Sequence, residues 1–207
     1  MILLFVHGMG RSPLSGWPML RRLRKAGFKT ETFGYIAAYE TFDSISLRLG
    51  SRLESIAQSG QYIVVGHSLG GVLLRAALCA TRSGTTMPKH LYLLGSPILP
   101  SRIATRLRGN KVFQFLAGDC GQLLGSQERM ASIGRVAIPI TAVAGVRRLA
   151  GANTLFGREL NDGVVSLSEV SAEWLTAQIQ LPIIHTWLPA SQDVADIIVR
   201  DTMENAN

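Results

Sequence analysis

Ser68 stands between two glycines, in Gly66-His67-Ser68-Leu69-Gly70, where an apolar run ends and a segment of helical spacing begins. A backbone that turns sharply from a strand into a helix needs small residues around the turn, and the serine at its apex is held clear of the sheet. A serine so placed can attack a carbonyl carbon if three things accompany it. A base must take its proton, a carboxylate must orient that base, and N–H donors must receive the charge that develops on the carbonyl oxygen. The glycine–serine pattern alone is weak evidence. With 21 glycines in 207 residues, composition produces such a match in roughly one chain in six. The rest of the chain has to supply the partners.

Elements able to position such groups recur from one end of the sequence to the other. Apolar runs of strand length alternate with amphipathic segments of helix length. Strands are expected at Ile2–Val6, Phe28–Tyr35, Tyr62–Val65, Leu91–Leu94, Ile140–Ala144 and Ile179–Ile184. Helices are expected at Pro18–Ala26, Thr41–Ala57, Leu69–Ala80 and Ser191–Arg200; the second carries Phe42, Ile45, Leu49, Leu53 and Ile56 at three- and four-residue spacing. This alternation implies βαβ units and a parallel sheet covered by helices on both faces. Functional groups in such sheets gather at the carboxyl ends of the strands. His7-Gly8-Met9-Gly10 follows the first strand, the Ser68 turn the third, and His185 the sixth, while Asn161-Asp162-Gly163 lies downstream of the fifth.

In serine enzymes built on sheets of this kind the chain order is serine, acid, histidine. Only His90 and His185 follow Ser68. His90 precedes its strand and belongs at the amino-end rim, which leaves His185 as the base. Asp119 and Asp162 lie between serine and base. Asp162 is preferred, because Gly163 permits a tight bend that can aim the carboxylate inward. Asp119 lies in an irregular stretch without a neighbouring strand end. Glu159 is a distant substitute, and an ordinary Asx turn is the other reading of Asp162. The expected oxyanion donors are the Leu69 N–H, at the start of a helix whose dipole favours negative charge, and the Met9 N–H in its glycine-containing turn. His7 is expected to pin that turn by hydrogen bonding, and His67 to support the elbow rather than carry a proton.

Taken in order, His7-Gly8-x-Gly10, Gly66-His67-Ser68-Leu69-Gly70, Asn161-Asp162-Gly163-Val164-Val165 and His185 resemble the α/β-hydrolase superfamily, and within it the small microbial lipases and esterases that lack a cap domain. The likeness in layout covers nearly the whole chain. It implies a three-layer α/β/α architecture in a single domain over 1–207: a minimal α/β-hydrolase fold whose mostly parallel six-stranded sheet has the order 2-1-3-4-5-6. It further implies a Ser68–His185–Asp162 triad, an oxyanion hole from the Met9 and Leu69 amides, and hydrolysis of carboxylic esters through an acyl-enzyme with no cofactor. The same apparatus serves thioesterases, amidases and acyltransferases, and a non-catalytic hydrolase-like binding protein is the alternative outside enzymes. Two departures qualify the likeness. The full fold opens with two antiparallel strands for which this sequence has no residues ahead of Ile2. No large cap is encoded either, so the segments that could cover the site are 98–136 and the loop 145–160. The first, with Leu99, Leu107, Phe113 and Phe115, is expected either as a small apolar cover for a lipid-like acyl chain or as helices laid on the sheet.

Composition narrows the partners. A hydrophobic fraction of 47% against 17% charged residues is that of an ordinary globular chain. No apolar run approaches the roughly twenty residues needed to span a bilayer. Met1 leads straight into the first strand without a basic n-region, which sets a cytoplasmic expectation. Cys79 and Cys120 form no spaced motif, and with four scattered histidines there is no zinc or haem signature. Cys79, inside an apolar helical segment, is expected reduced and buried, a disulfide with Cys120 being the alternative. The net charge of +7 is uneven: residues 71–158 hold twelve Lys or Arg against Asp119 and Glu128, while 159–207 hold eight acids against Arg200. Such asymmetry suggests peripheral contact with an anionic membrane surface, or simply solvated faces. The bases lack the aromatic interleaving of a nucleic-acid surface.

Overall fold

Leu3, Leu4, Phe5 and Val6 of strand β1 (Ile2–Val6) are all completely buried, on both faces of the sheet at once. Only a strand covered by helices above and below buries alternate side chains equally. The same is true of β3 (Tyr62–His67), β4 (Leu91–Leu94) and β5 (Ile140–Gly145). In contrast, β2 (Lys29–Phe33) and β6 (Ala177–Leu181) expose polar residues, as edge strands do. The computed structural model describes residues 1–148 and 153–204 and joins these strands in one sheet, every neighbouring pair parallel, in the expected order β2-β1-β3-β4-β5-β6.

Eight helices flank the sheet among the described residues: α1 (Trp17–Lys25), α2 (Phe42–Gln58), α3 (Leu69–Cys79), α4 (Arg102–Leu107), α5 (Lys111–Leu124), α6 (Gln127–Ala131), α7 (Asn153–Phe156) and α8 (Gln192–Glu204). Leu4 and Val6 face the layer that contains α2, α3 and α5, where Ile45, Leu49, Leu53, Val72 and Leu123 meet them. Leu3 and Phe5 face α1 and α8, through Met19, Leu20, Leu23, Val194 and Ile198. Each such aliphatic side chain contributes roughly 1.5–3 kcal/mol on leaving water. Helix starts are marked by side-chain caps: Thr41 Oγ1 accepts from Ser44 N–H, Ser101 Oγ from Ala104 N–H, and Ser126 Oγ from Arg129 N–H. No helix among the described residues is long and apolar enough to cross a membrane.

Five expectations change in detail. β3 runs on through His67, so the elbow grows straight out of the strand. β6 spans Ala177–Leu181 rather than 179–184, because Pro182 has no N–H to give the ladder. His185 therefore does not follow the strand at once; residues 182–184 intervene, and it opens a 3₁₀ turn, His185–Ala190. Asp119 lies on α5, not in an irregular stretch. Cys79 is exposed rather than buried, because it lies at the last position of α3, past the stripe formed by Val72, Leu73, Ala77 and Leu78. Both cysteines are free, and Cys120 is the buried one.

Segment 98–136 divides in two. Ala104, Cys120, Leu123, Leu124, Met130 and Ile133 join the core on the α2–α3 side, whereas Val112, Phe115 and Leu116 on the first turns of α5 are exposed. Gly118, with φ of 55°, breaks the helix between these halves, where a Cβ would strike the Ala37 carbonyl. Of the loop 145–160, residues 149–152 lie outside the described residues.

Candidate active site

Ser68 is the one non-glycine residue with positive φ among the described residues, at φ 51° and ψ −123°. Such a conformation costs on the order of 1–3 kcal/mol and persists only where the surroundings enforce it. Here they do. Ser68 N–H donates to Leu94 O at 2.9 Å on the adjacent strand, and Ser68 O accepts from Gly71 N–H at 3.0 Å in the first turn of α3. A Cβ on Gly66 would enter the backbone of Gly71, and one on Gly70 would strike the Val6 carbonyl. The two glycines thus let α3 sit flush against β1 and β3.

The register between β1 and β3 pairs Val6 with Gly66, which brings the turn after β1 alongside the elbow. A Cβ on Gly8 would lie 2.8 Å from His67 Nδ1 and 3.1 Å from Ser68 Cβ. The next amide, Met9 N–H, and the first amide of α3, Leu69 N–H, have no acceptor among the described residues. The turn itself is fixed by His7. Its Nδ1 donates to Gly8 O at 2.9 Å, its ring stacks on Tyr35 with centroids 4.4 Å apart, and Tyr35 Oη donates to His7 O at 2.8 Å. Burial lowers the His7 pKa, so the ring stays neutral in this role.

Asp162 is completely buried and His185 is 5% exposed. His185 Nδ1 lies 2.7 Å from Asp162 Oδ2, while Asp162 Oδ1 accepts from Val164 N–H at 3.0 Å and Val165 N–H at 2.9 Å. The backbones are tied as well, His185 N–H donating to Asp162 O at 3.0 Å. With its Nδ1–H given to the carboxylate, the imidazole keeps the Nε2 lone pair free to accept a proton. His67 adds a third tie: its Nε2 donates to His185 O at 3.0 Å. The residue before the serine therefore holds the backbone of the histidine.

The other sequence candidates are occupied elsewhere. His90 is on the amino-end side of β4, hydrogen-bonded through Nε2 to Thr141 Oγ1 at 2.8 Å. Asp119 forms a two-pronged bridge to Arg129 at 2.6 and 3.0 Å, which holds its carboxyl below the usual value, and also accepts from Phe42 N–H. Glu159 pairs with Arg102 at 2.7 Å. Burial pushes its carboxyl up, but hydrogen bonds from Ser168, Arg102 and Ser166 outweigh this and bring it to about 2. No group of three or more His, Cys, Asp or Glu is disposed to hold a metal among the described residues.

Glu169 is a support that the sequence reading missed. It is 2% exposed; Oε2 accepts from Ser166 N–H and Oε1 from Arg102 N–H, both at 2.6 Å, and its backbone oxygen accepts from Ile98 and Leu99. It thereby links the Asp162 loop to the turn after β4. The Ser166-x-x-Glu169 spacing, that of a capping box, was the available signal.

No protein-family profile and no curated protein sequence matches the chain. Solved structures do. The mature lipase BlEst2 of Bacillus licheniformis superposes with a TM-score of 0.75 at 16% identity, over 97% of this chain and 91% of that one. The RedJ thioesterase of the prodiginine biosynthetic pathway in Streptomyces coelicolor gives 0.66 at 18% identity, over 98% and 85%. Phospholipase PlaB of Legionella pneumophila gives 0.63 at 16% identity, over 83% of this chain and 45% of that one. Together with the strand order and the elbow at the end of β3, these likenesses define the fold as that of the α/β-hydrolases.

Proposed function

We propose that the protein is a serine hydrolase of carboxylic esters acting through an acyl-enzyme on Ser68. The observation that carries this reading is the buried His185–Asp162 pair, tied through His185 to His67, the residue adjoining a serine in strained elbow geometry. His185 Nε2 takes the Ser68 hydroxyl proton as Oγ bonds to the ester carbonyl carbon. The Met9 and Leu69 amides hold the oxyanion, and the imidazolium, steadied by Asp162, returns the proton to the departing alcohol as the acyl C–O bond breaks. Water, deprotonated by the same histidine, then releases the acid. The exposed Val112, Phe115 and Leu116 are the surface we assign to the acyl chain, as a small cover over the site from segment 98–136. The likeness to a lipase and a phospholipase favours a lipid-like ester, and the basic surplus favours one presented at an anionic membrane surface.

The likeness to RedJ supports a second reading, thioester hydrolysis on the same groups. Purified protein assayed on p-nitrophenyl butyrate and labelled with a fluorophosphonate tests the proposal. Hydrolysis and an adduct on Ser68 are expected, both lost in Ser68→Ala; hydrolysis that survives this change would remove the serine from the mechanism. Matched butyryl ester and butyryl thioester substrates decide between the two readings.

A further inference from the structure

A cleft of about 510 Å³ flanks the turn that carries His185, walled by Arg147, Arg148, Ile183, Ile184 and Trp187. Its two arginines follow β5, and its apolar wall comes from residues 183–184 after β6 and from Trp187 of the 3₁₀ turn. No carboxylate among the described residues lines it, although residues 159–207 contain eight acids. The neighbouring acids are committed elsewhere: Glu159 pairs with Arg102, Asp162 with His185, and Asp193 lines a different groove with Asp196 and Arg200. Arg148 donates to the carbonyls of Arg158 and Glu159, which braces the approach to Asp162. Arg147 is exposed and pairs with no carboxylate among the described residues. An additional guanidinium, that of Arg11, donates to Thr186 O at 3.1 Å in the same turn. The surroundings of the base are therefore cationic, with one arginine uncommitted.

We infer that this cleft receives a phosphate group carried by the leaving half of the substrate, the alcohol or thiol that His185 protonates. The inference rests on the serine-hydrolase reading above. A leaving oxygen or sulfur must come within hydrogen-bond reach of the base. Ile184 and Trp187 lie one and two residues from His185, and consecutive Cα atoms are about 3.8 Å apart. A charged group a few bonds beyond the scissile atom therefore falls among these residues. Arg147 offers a planar fork of donors suited to a phosphate, Ile183 and Ile184 cover an apolar linker, and the exposed Trp187 indole forms the outer wall. The acyl C–O or C–S bond is the one that breaks; the phosphate leaves intact on its alcohol or thiol.

The test compares kcat/KM for three butyryl substrates: a neutral glycerol ester, the glycerol 3-phosphate ester, and butyryl-CoA. The first two isolate the phosphate, and the third distinguishes a nucleotide-linked thiol from a lipid-type head group. At least one phosphate-bearing substrate is expected to exceed the neutral ester by roughly tenfold or more. Arg147→Gln and Arg147→Glu should remove that advantage and leave neutral-ester hydrolysis within about twofold of wild type, while Arg147→Lys retains part of it. Equal rates on all three substrates, or an Arg147→Gln loss as large on the neutral ester, would overturn the assignment. Calorimetric titration of glycerol 3-phosphate and of free coenzyme A into wild type and Arg147→Glu reads the cleft without catalysis. Saturable binding lost in the variant supports it, and no binding of either overturns it. Phosphate binding without turnover of any ester or thioester would instead sink the hydrolase reading alone.

Discussion

His67 Nε2 donates to the carbonyl oxygen of His185 at 3.0 Å, across 118 positions of sequence, and the two rings lie 4.8 Å apart. The residue preceding Ser68 thus fixes the backbone of His185, and the serine and histidine cannot drift apart without breaking a buried bond. Burial first, and the nearby His185 second, hold the His67 imidazole well below its usual value. A neutral ring suits this geometry, because in the proposed mechanism a second positive charge would oppose an imidazolium at His185.

The depressed pKa gives stability a definite pH dependence. Unfolded His67 takes up a proton below about 6.5, which the folded protein refuses, so its contribution is complete above that pH and declines as pH falls. The buried His7 and His90 are lowered by burial as well and act in the same direction. Tm should decrease from pH 7 to pH 5, and His67→Asn should flatten that decrease by the share of one proton, about 1.4 kcal/mol per pH unit at most. A slope unchanged in the variant would show that His67 is charged in the folded state.

Loss of the same hydrogen bond should also appear in the kinetics. His67→Asn is expected to lower kcat for p-nitrophenyl butyrate by roughly ten- to a hundredfold with little change in KM, since it loosens the base rather than the substrate site. A change confined to KM would contradict the positioning role.

Asp162→Asn keeps an oxygen for the Val164 and Val165 amides but presents an amide to His185 Nδ1. The imidazole then turns to the wrong tautomer. We expect kcat to fall by about 10³–10⁴ with near-native Tm, measured in parallel on one preparation. Activity within a few-fold of wild type would shift the acid to another residue.

Gly8→Ala places a methyl 2.8 Å from His67 Nδ1 and 3.1 Å from Ser68 Cβ. The turn must retreat from the serine, carrying the Met9 amide with it. Hydrolysis should drop by about 10²–10³, the cost of one oxyanion donor, while urea unfolding shows a loss of only about 1–3 kcal/mol. Full activity would mean that Met9 N–H is not a donor.

Glu159 reports acid stability. Its carboxyl is held at about 2 against an ordinary value of 4.5, so the stability it gives is present above 4.5 and lost as pH falls from there towards 2. Glu159→Gln should therefore lower Tm at pH 6 and converge with wild type near pH 2, as followed by circular dichroism. A gap that persists at pH 2 would assign the effect to packing.

Much of the architecture was legible because burial on two faces leaves a mark in the sequence. Strands such as Leu91–Leu94 read as unbroken apolar runs, α2 as a 3.6-residue stripe, and their alternation as a parallel sheet with its functional turns at one end. What local pattern does not encode was misread. The end of β6 depended on which N–H groups the ladder needed, and Pro182 shifted it away from the apolar residues that follow. Cys79 carried helix periodicity to a position where α3 had already left the core.

The Ser68 elbow shows the same division. The sequence by itself determined a serine between glycines, a histidine after the last strand and an aspartate in a turn, because residue type and order follow from local backbone demands. Only the tertiary structure decided that His67 and His185 share a hydrogen bond, that Glu169 braces the Asp162 loop, and that Arg147 faces a cleft without an acid. Those relations join segments far apart in the chain. They exist only after β3, β5 and β6 are packed side by side and their carboxyl-end loops converge.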